Sequence, residues 1–221
     1  MPLDPARIRA LCFDVDGTLS DTDDFYVNRM SRRLARIPLI RHPHRLARRL
    51  VMWAQAPGNA LLALADSSGL DGPIMAFISW RSRHRRRRNV SPPVVPGVSE
   101  MLGSLHGRFP MAIVSSRDEG STMNFLRDRD LLQYFPVVIT AMSTPRTKPF
   151  PDPVRLAARE LQVATEQCLM VGDTTVDIRS GRSAGAQTVG VLCGFGEEAE
   201  LRRQGADSIL ATTADLSRLL S

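Results

Sequence analysis

Residues 10–22 read ALCFDVDGTLSDT, a short apolar run that ends in two aspartates separated by one valine and followed by a glycine. A run this short and this apolar predicts a buried strand over Ala10 to Phe13, and Asp14-Val15-Asp16-Gly17-Thr18 predicts a sharp turn at its carboxyl end. Four further runs have the same character: Met111 to Val114, Val137 to Ile139, Leu169 to Val171 and Thr188 to Leu192. Helical periodicity lies between them. Val98, Met101, Leu102 and Leu105 fall at i, i+3, i+4 and i+7, and so do Val154, Ala157, Ala158 and Leu161. The second helix is expected to open on Asp152 as N-cap with Pro153 at the first helical position. Strands alternating with crossover helices predict an α/β fold built on a doubly wound parallel sheet.

The segments directly after these strands are polar. The second run ends at Ser115-Ser116-Arg117, and the fourth at Gly172-Asp173, with Asp177 four residues on. In an open parallel sheet, ligands bind beyond the carboxyl ends of the strands, where strand order reverses, so clusters from three distant parts of the chain converge on one crevice. Clustered carboxylates repel one another and call for a cation, and hard oxygen donors select Mg²⁺. The Ser115 hydroxyl, nearby backbone N–H groups and the Lys148 ammonium would complete a phosphate cradle. The reaction class these groups suggest is phosphoryl transfer. Each cluster alone has an ordinary explanation as a turn, a helix cap or a solvated loop. A calcium loop is excluded, because the run of oxygen ligands and the distant Glu are missing after Thr18.

Composition bounds the rest. The chain has 221 residues, 43% hydrophobic and 24% charged, with net charge +6 and a sequence pI near 10.2. That is enough for one core plus an insertion, or for two small domains, and the composition excludes collagen-like and wholly disordered classes. The longest apolar-rich stretch, Leu50 to Ala65, contains Gln55 and Asn59 and breaks at Pro57-Gly58, so no membrane span is expected. MPLDPARIRA lacks the apolar region of a secretory signal, and a cytoplasmic protein is expected. Cys12, Cys168 and Cys193 form no Cys-x-x-Cys pair and read as small buried hydrophobes. Of the 29 basic residues, only Lys148 is lysine. Between Ser20 and Val94 there are 14 arginines against five aspartates, a net +9, whereas the remainder is net −3. The basic segment, ending at Pro92-Pro93 and Pro96-Gly97, reads as an insertion.

At these residues the chain resembles the haloacid dehalogenase-like hydrolase superfamily, within it the branch of the phosphoglycolate phosphatases. FDVDGTLSDT resembles the first motif, AIVSS the second, TKPFPDP the third and VGDTTVDIRSGRSAG the fourth. Further similarity runs through PGVSEML, LLQYFPVVITA and GADSILATTADL, so that it covers about residues 8–22 and 92–220. The resemblance implies a Rossmann-like catalytic core over residues 1–20 and 92–221, and a helical, Arg-rich cap over residues 21–91. It implies that Asp14 is the nucleophile that forms an aspartyl-phosphate, and that Asp16 is the general acid and then the base. Mg²⁺ would be held by the Asp14 carboxylate, the Asp16 backbone carbonyl and Asp173, with Asp177 behind them. Thr18, Ser115, Ser116 and Arg117 would contact substrate. Lys148 would bridge Asp14 and the phosphate, a place that suits a compact ammonium better than the planar fork of arginine.

The expected substrate is a small phosphorylated metabolite. Asp16 argues against dehalogenation, which has no alkoxide to protonate. With Lys148 already assigned, no amine is left for the Schiff base of phosphonoacetaldehyde cleavage. A phosphomutase of the β-phosphoglucomutase type shares the four motifs and stays open. So does a non-catalytic module that binds nucleic acid or an anionic membrane, suggested by WRSRHRRRRN over Trp80 to Asn89. Arg29, Arg32, Arg33 and Arg36, and likewise Arg41, Arg45, Arg48 and Arg49, are near helical spacing and read first as solvated faces.

Overall fold

The computed structural model describes residues 3–22, 31, 34–35 and 91–221. The chain divides into two compact units, residues 1–23 with 91–221, and residues 24–90. The helical, Arg-rich cap expected over residues 21–91 falls almost wholly outside the described residues.

In the first unit, β1 (Ala10–Phe13), β2 (Met111–Val114), β3 (Val137–Ile139), β4 (Cys168–Gly172), β5 (Gln187–Val191) and β6 (Ser208–Leu210) form one sheet of order β3-β2-β1-β4-β5-β6. Every neighbouring pair is parallel. The connecting helices are α1 (Val98–Leu105), α2 (Glu119–Asp128), α3 (Asp152–Glu160), α4 (Thr175–Ala184) and α5 (Glu198–Arg203), and α6 (Leu216–Leu219) closes the chain. The chain steps outward from β1 to β2 and β3, then returns to the other side of β1 for β4. Strand order therefore reverses between β1 and β4, and the crevice above that point is where a doubly wound sheet binds its ligand.

Alternation along the strands sorts the core into two layers. Leu11, Phe13, Met111, Ile113, Leu169 and Val171 pack with Val98, Leu102 and Leu105 of α1, Phe125 and Leu126 of α2, and Leu216 of α6. On the other face, Ala10, Cys12, Ala112, Cys168 and Met170 pack with Val154, Ala157 and Ala158 of α3. The smaller side chains there let helices approach closely. At Gly181 of α4 a Cβ would overlap Thr188 and Met170.

The departures from the expected elements are local. Helix α3 has Pro151, not Asp152, as its N-cap, because Asp152 lies in the first turn with its carboxylate on Arg146 at 3.1 Å. The edge strand β6 lies outside the expected runs; with Ser208 at its start it offers only two apolar residues, Ile209 and Leu210. Cys12 and Cys168 are buried, and the Cys12 thiol is pushed well up by its hydrogen bond to Cys168 and by burial, which fits an inert core residue. Cys193 differs from the expectation in being only half-buried.

The chain leaves and re-enters this unit through adjacent segments. Ser20 pairs with Val94 in an antiparallel bridge, Asp21 N–H donates to the Pro93 carbonyl and Val95 N–H to the Leu19 carbonyl, both at 2.9 Å. Arg129, at the end of α2, donates to the Ser91 and Pro92 carbonyls. Among the described residues no helix is long and apolar enough to cross a membrane.

Candidate active site

Four loops at the carboxyl ends of the strands build the site. Asp14 comes directly after β1, its N–H donating to the Val171 carbonyl of β4 at 3.0 Å, so the central ladder itself fixes its place. The turn after it closes on Val15, whose carbonyl accepts from the N–H groups of Leu19 and Ser20. Gly17 has φ 72°, a conformation that favours glycine, and a Cβ there would overlap Asp173. Asp173 comes directly after β4 and is fully buried. Lys148 belongs to the β3–α3 loop, which Ser180 of α4 fastens by donating to the Phe150 carbonyl at 2.6 Å.

The Lys148 ammonium donates to Asp14 Oδ1 and to Asp177 Oδ1, each at 2.6 Å, with only 4% of its side chain exposed. Asp177 Oδ2 accepts from the N–H and the hydroxyl of Thr174, at 3.0 and 2.6 Å, a reciprocal cap on the start of α4. Both oxygens of Asp177 are thus engaged, and its carboxylate orients Lys148. Gly172 permits the approach, since a Cβ there would overlap the Asp177 side chain. One oxygen from each of Asp14, Asp173 and Asp177 lies within 4.8 Å of the others. Three buried carboxylates of this kind fit a hard divalent cation. Gly17 leaves the room they need.

Burial pushes the Asp14 carboxyl from its ordinary 3.8 up to about 7; the neighbouring Lys148 works against this, and the Asp177 and Asp16 charges add to it. The Lys148 ammonium is pushed up by the same two carboxylates, Asp14 and Asp177, which overcome its own burial. A raised carboxyl pKa means the folded state keeps a proton that the unfolded chain has lost. Its stabilising contribution is therefore complete below about 3.8 and lost as pH rises through about 7. The thermal midpoint of the metal-free protein is expected to fall between pH 5 and pH 8. Scanning calorimetry in chelator would show it, and a midpoint rising across that range would contradict it.

Two other expected residues take places of their own. Asp16 is bound through both oxygens by the Arg117 guanidinium and accepts from the Thr22 hydroxyl at 2.8 Å. Arg117, expected to contact substrate, thus holds Asp16 in this structure. Its guanidinium carbon lies 5.8 Å from the centroid of the Phe125 ring. The Asp16 side chain stays about a third exposed, at 35%. Thr18, also expected at the substrate, is fully buried with its hydroxyl 3.4 Å from Asp173 Oδ1. In this structure the hydroxyl lies beside Asp173, which is itself fully buried. Ser115 is buried at the end of β2, its Oγ accepting from the Arg117 N–H at 3.2 Å, and Ser116 beside it is exposed. The residues that sequence reasoning missed lie after β5: Phe195 N–H donates to Asp173 Oδ2 at 2.8 Å. The Gly194-Phe195-Gly196 run is the signal that could have found them.

Residues 11–191 match the haloacid dehalogenase-like hydrolase family. The phosphoglycolate phosphatase of Nitrosospira multiformis is 27% identical over 98% of this chain and 97% of its own length. That of Escherichia coli K12 is 25% identical over 95% of this chain and 91% of its own. Among solved structures, a haloacid dehalogenase-like family protein from Streptococcus pneumoniae superposes with a TM-score of 0.71 at 21% identity, covering 98% of this chain and all of that one. A hydrolase from Deinococcus radiodurans, solved with bound phosphate and sodium, gives 0.70 at 24% identity over 96% of this chain and 94% of its own.

Proposed function

Because the chain belongs to the haloacid dehalogenase-like hydrolases, we propose that it is a Mg²⁺-dependent phosphatase acting on a small phosphate monoester, of the phosphoglycolate type, through an aspartyl-phosphate. The observation that carries this is Lys148 held between Asp14 and Asp177 at the point where strand order reverses. A carboxylate attacking a phosphate dianion meets electrostatic repulsion, and a fixed cation at the nucleophile lowers that barrier without reorganising. Full-length similarity to two phosphoglycolate phosphatases supports the same reading.

In this reading an Asp14 oxygen attacks phosphorus and the ester P–O bond breaks. Asp16, freed from the Arg117 guanidinium and protonated, gives that proton to the departing alkoxide, then takes one from water as that water attacks the aspartyl-phosphate, releasing phosphate and restoring Asp14. Lys148 neutralises charge at Asp14, and Ser115 with the Ser116 N–H receives phosphate oxygens. Bound Mg²⁺, held by Asp14, the Asp16 carbonyl and Asp173, would supply charge neutralisation at the transferred group. The inserted residues 21–91, proposed as a cap, are where selection among phosphate esters would reside.

The test is phosphate release from a panel of phosphorylated metabolites and p-nitrophenyl phosphate by the purified chain. Activity is expected with Mg²⁺, lost in chelator and restored on adding Mg²⁺ back. Folded protein that releases no phosphate from any of them, yet binds RNA or anionic vesicles in a salt-sensitive way, would overturn the enzyme reading.

A further inference from the structure

The residues after β5 have no part in the catalytic reading, yet they wall in Asp173. Its Oδ2 accepts the Phe195 N–H at 2.8 Å. A Cβ on Gly194 would overlap that same oxygen and the Gly17 carbonyl, and a Cβ on Gly17 would overlap the oxygen as well. A Cβ on Gly196 would overlap the carbonyl of Asp173 itself. Cys193 ties the two loops together, its Sγ 3.4 Å from the Gly17 carbonyl and 3.5 Å from the Thr213 hydroxyl. Thr213 in turn donates to the Thr18 carbonyl at 2.7 Å. The backbone of two loops thus fills the space around one carboxylate oxygen.

We propose that Cys193–Gly196 is a positioning element for Asp173 that makes this carboxylate a single-oxygen ligand and thereby favours Mg²⁺ over Ca²⁺; the inference rests on the reading of Asp173 as a metal ligand. An ionised acceptor bonded to a backbone N–H is held more firmly than a neutral one. The glycine walls leave its side chain little room to turn. With Oδ2 enclosed by the backbone, the oxygen left to face a cation in this proposal is Oδ1, which also lies 3.4 Å from the Thr18 hydroxyl. Mg²⁺ demands near-ideal octahedral geometry, whereas Ca²⁺ accepts six to eight oxygens in flexible arrangements and often takes both oxygens of one carboxylate. A rigid single-oxygen Asp173 suits the smaller ion. Gly194 and the Phe195 amide touch neither substrate nor the reacting atoms in this scheme; they act through Asp173.

The experiment is calorimetric titration of Mg²⁺ and of Ca²⁺ into wild type, Gly194→Ala, Phe195→Pro and Phe195→Ala, with circular dichroism to establish folding. Gly194→Ala crowds the Asp173 oxygen and Phe195→Pro deletes the amide hydrogen. Each is expected to weaken Mg²⁺ binding by about tenfold or more, the scale seen when a partner behind a metal ligand is lost, with a clearly smaller change for Ca²⁺. Phe195→Ala keeps the amide and is expected to bind both ions as wild type does. Equal losses for the two ions in a folded variant overturn the proposal, as does a Phe195→Ala that loses as much Mg²⁺ affinity as Phe195→Pro. Wild type that prefers Ca²⁺ overturns it even if neither disruptive variant folds. Wild type that binds neither ion removes the metal-dependent reading, and this proposal with it, whereas Mg²⁺ binding without the variant effects counts against the loop alone.

Discussion

Asp14→Asn is expected to lower phosphate release by at least about 10⁴-fold, the scale of losing a nucleophile, while the thermal midpoint of the metal-free protein at pH 8 stays at or above that of wild type. The two halves have one cause. Asp14 is buried beside Asp177, and its carboxyl is pushed up to about 7, so the fold already resists the charge that the chemistry needs. Asparagine keeps the shape and removes the charge. It cannot displace an alkoxide from phosphorus, and it ends one repulsion among the carboxylates. Lys148 keeps Asp177 as a partner at 2.6 Å, so no ammonium is stranded. Turnover within tenfold of wild type in homogeneous protein would end the aspartyl-phosphate scheme. A collapse of the midpoint would show that the ion pair with Lys148 outweighs burial.

Substitution of Lys148 is expected to separate stability from catalysis. Lys148→Met leaves Asp14, Asp173 and Asp177 close together without their ammonium, and stranding a buried ion pair in this way costs about 3–5 kcal/mol. Chemical denaturation without metal should show that loss at pH 8, with a smaller one at pH 5.5, where Asp14 takes up a proton. Mg²⁺ should recover part of it. Lys148→Arg keeps the charge and is expected to keep most of the stability, yet to lose about 100-fold or more in kcat, because a planar fork cannot place one compact charge between two oxygens each 2.6 Å away. An arginine variant with wild-type kcat would show that ammonium shape is irrelevant.

The parts of this site that were legible in the sequence are those that side-chain type and spacing encode. Apolar runs marked β1, β2 and β3 to the residue: β1 and β2 are inner strands buried along their whole length, and the edge strand β3, only partly buried, still reads Val-Val-Ile. Aspartates placed directly after such runs pointed to a shared crevice, and the buried group of Asp14, Asp173 and Asp177 is the result. Backbone chemistry left less trace. The Phe195 N–H that orients Asp173 is a donor any residue but proline would supply. The grip of Arg117 on Asp16 joins residues 101 positions apart, and nothing in Ser-Ser-Arg distinguishes a residue that will face substrate from one that will hold a neighbour. Thr18 comes soon after the two aspartates in sequence, but the turn at Gly17 sends it inward.

The adjacency of the chain at Ser20 and Val94 also bears on how such a protein can change over time. Two chain ends are held side by side by their own hydrogen bonds, with Arg129 fastening the returning one, so contacts within the first unit fix where the intervening residues leave and return. Residues between the two ends can lengthen, shorten or be exchanged without altering the register of a sheet that begins before them and resumes after them. The core is bound to a fixed arrangement of carboxylates and one ammonium, and none of these residues lies between the two ends.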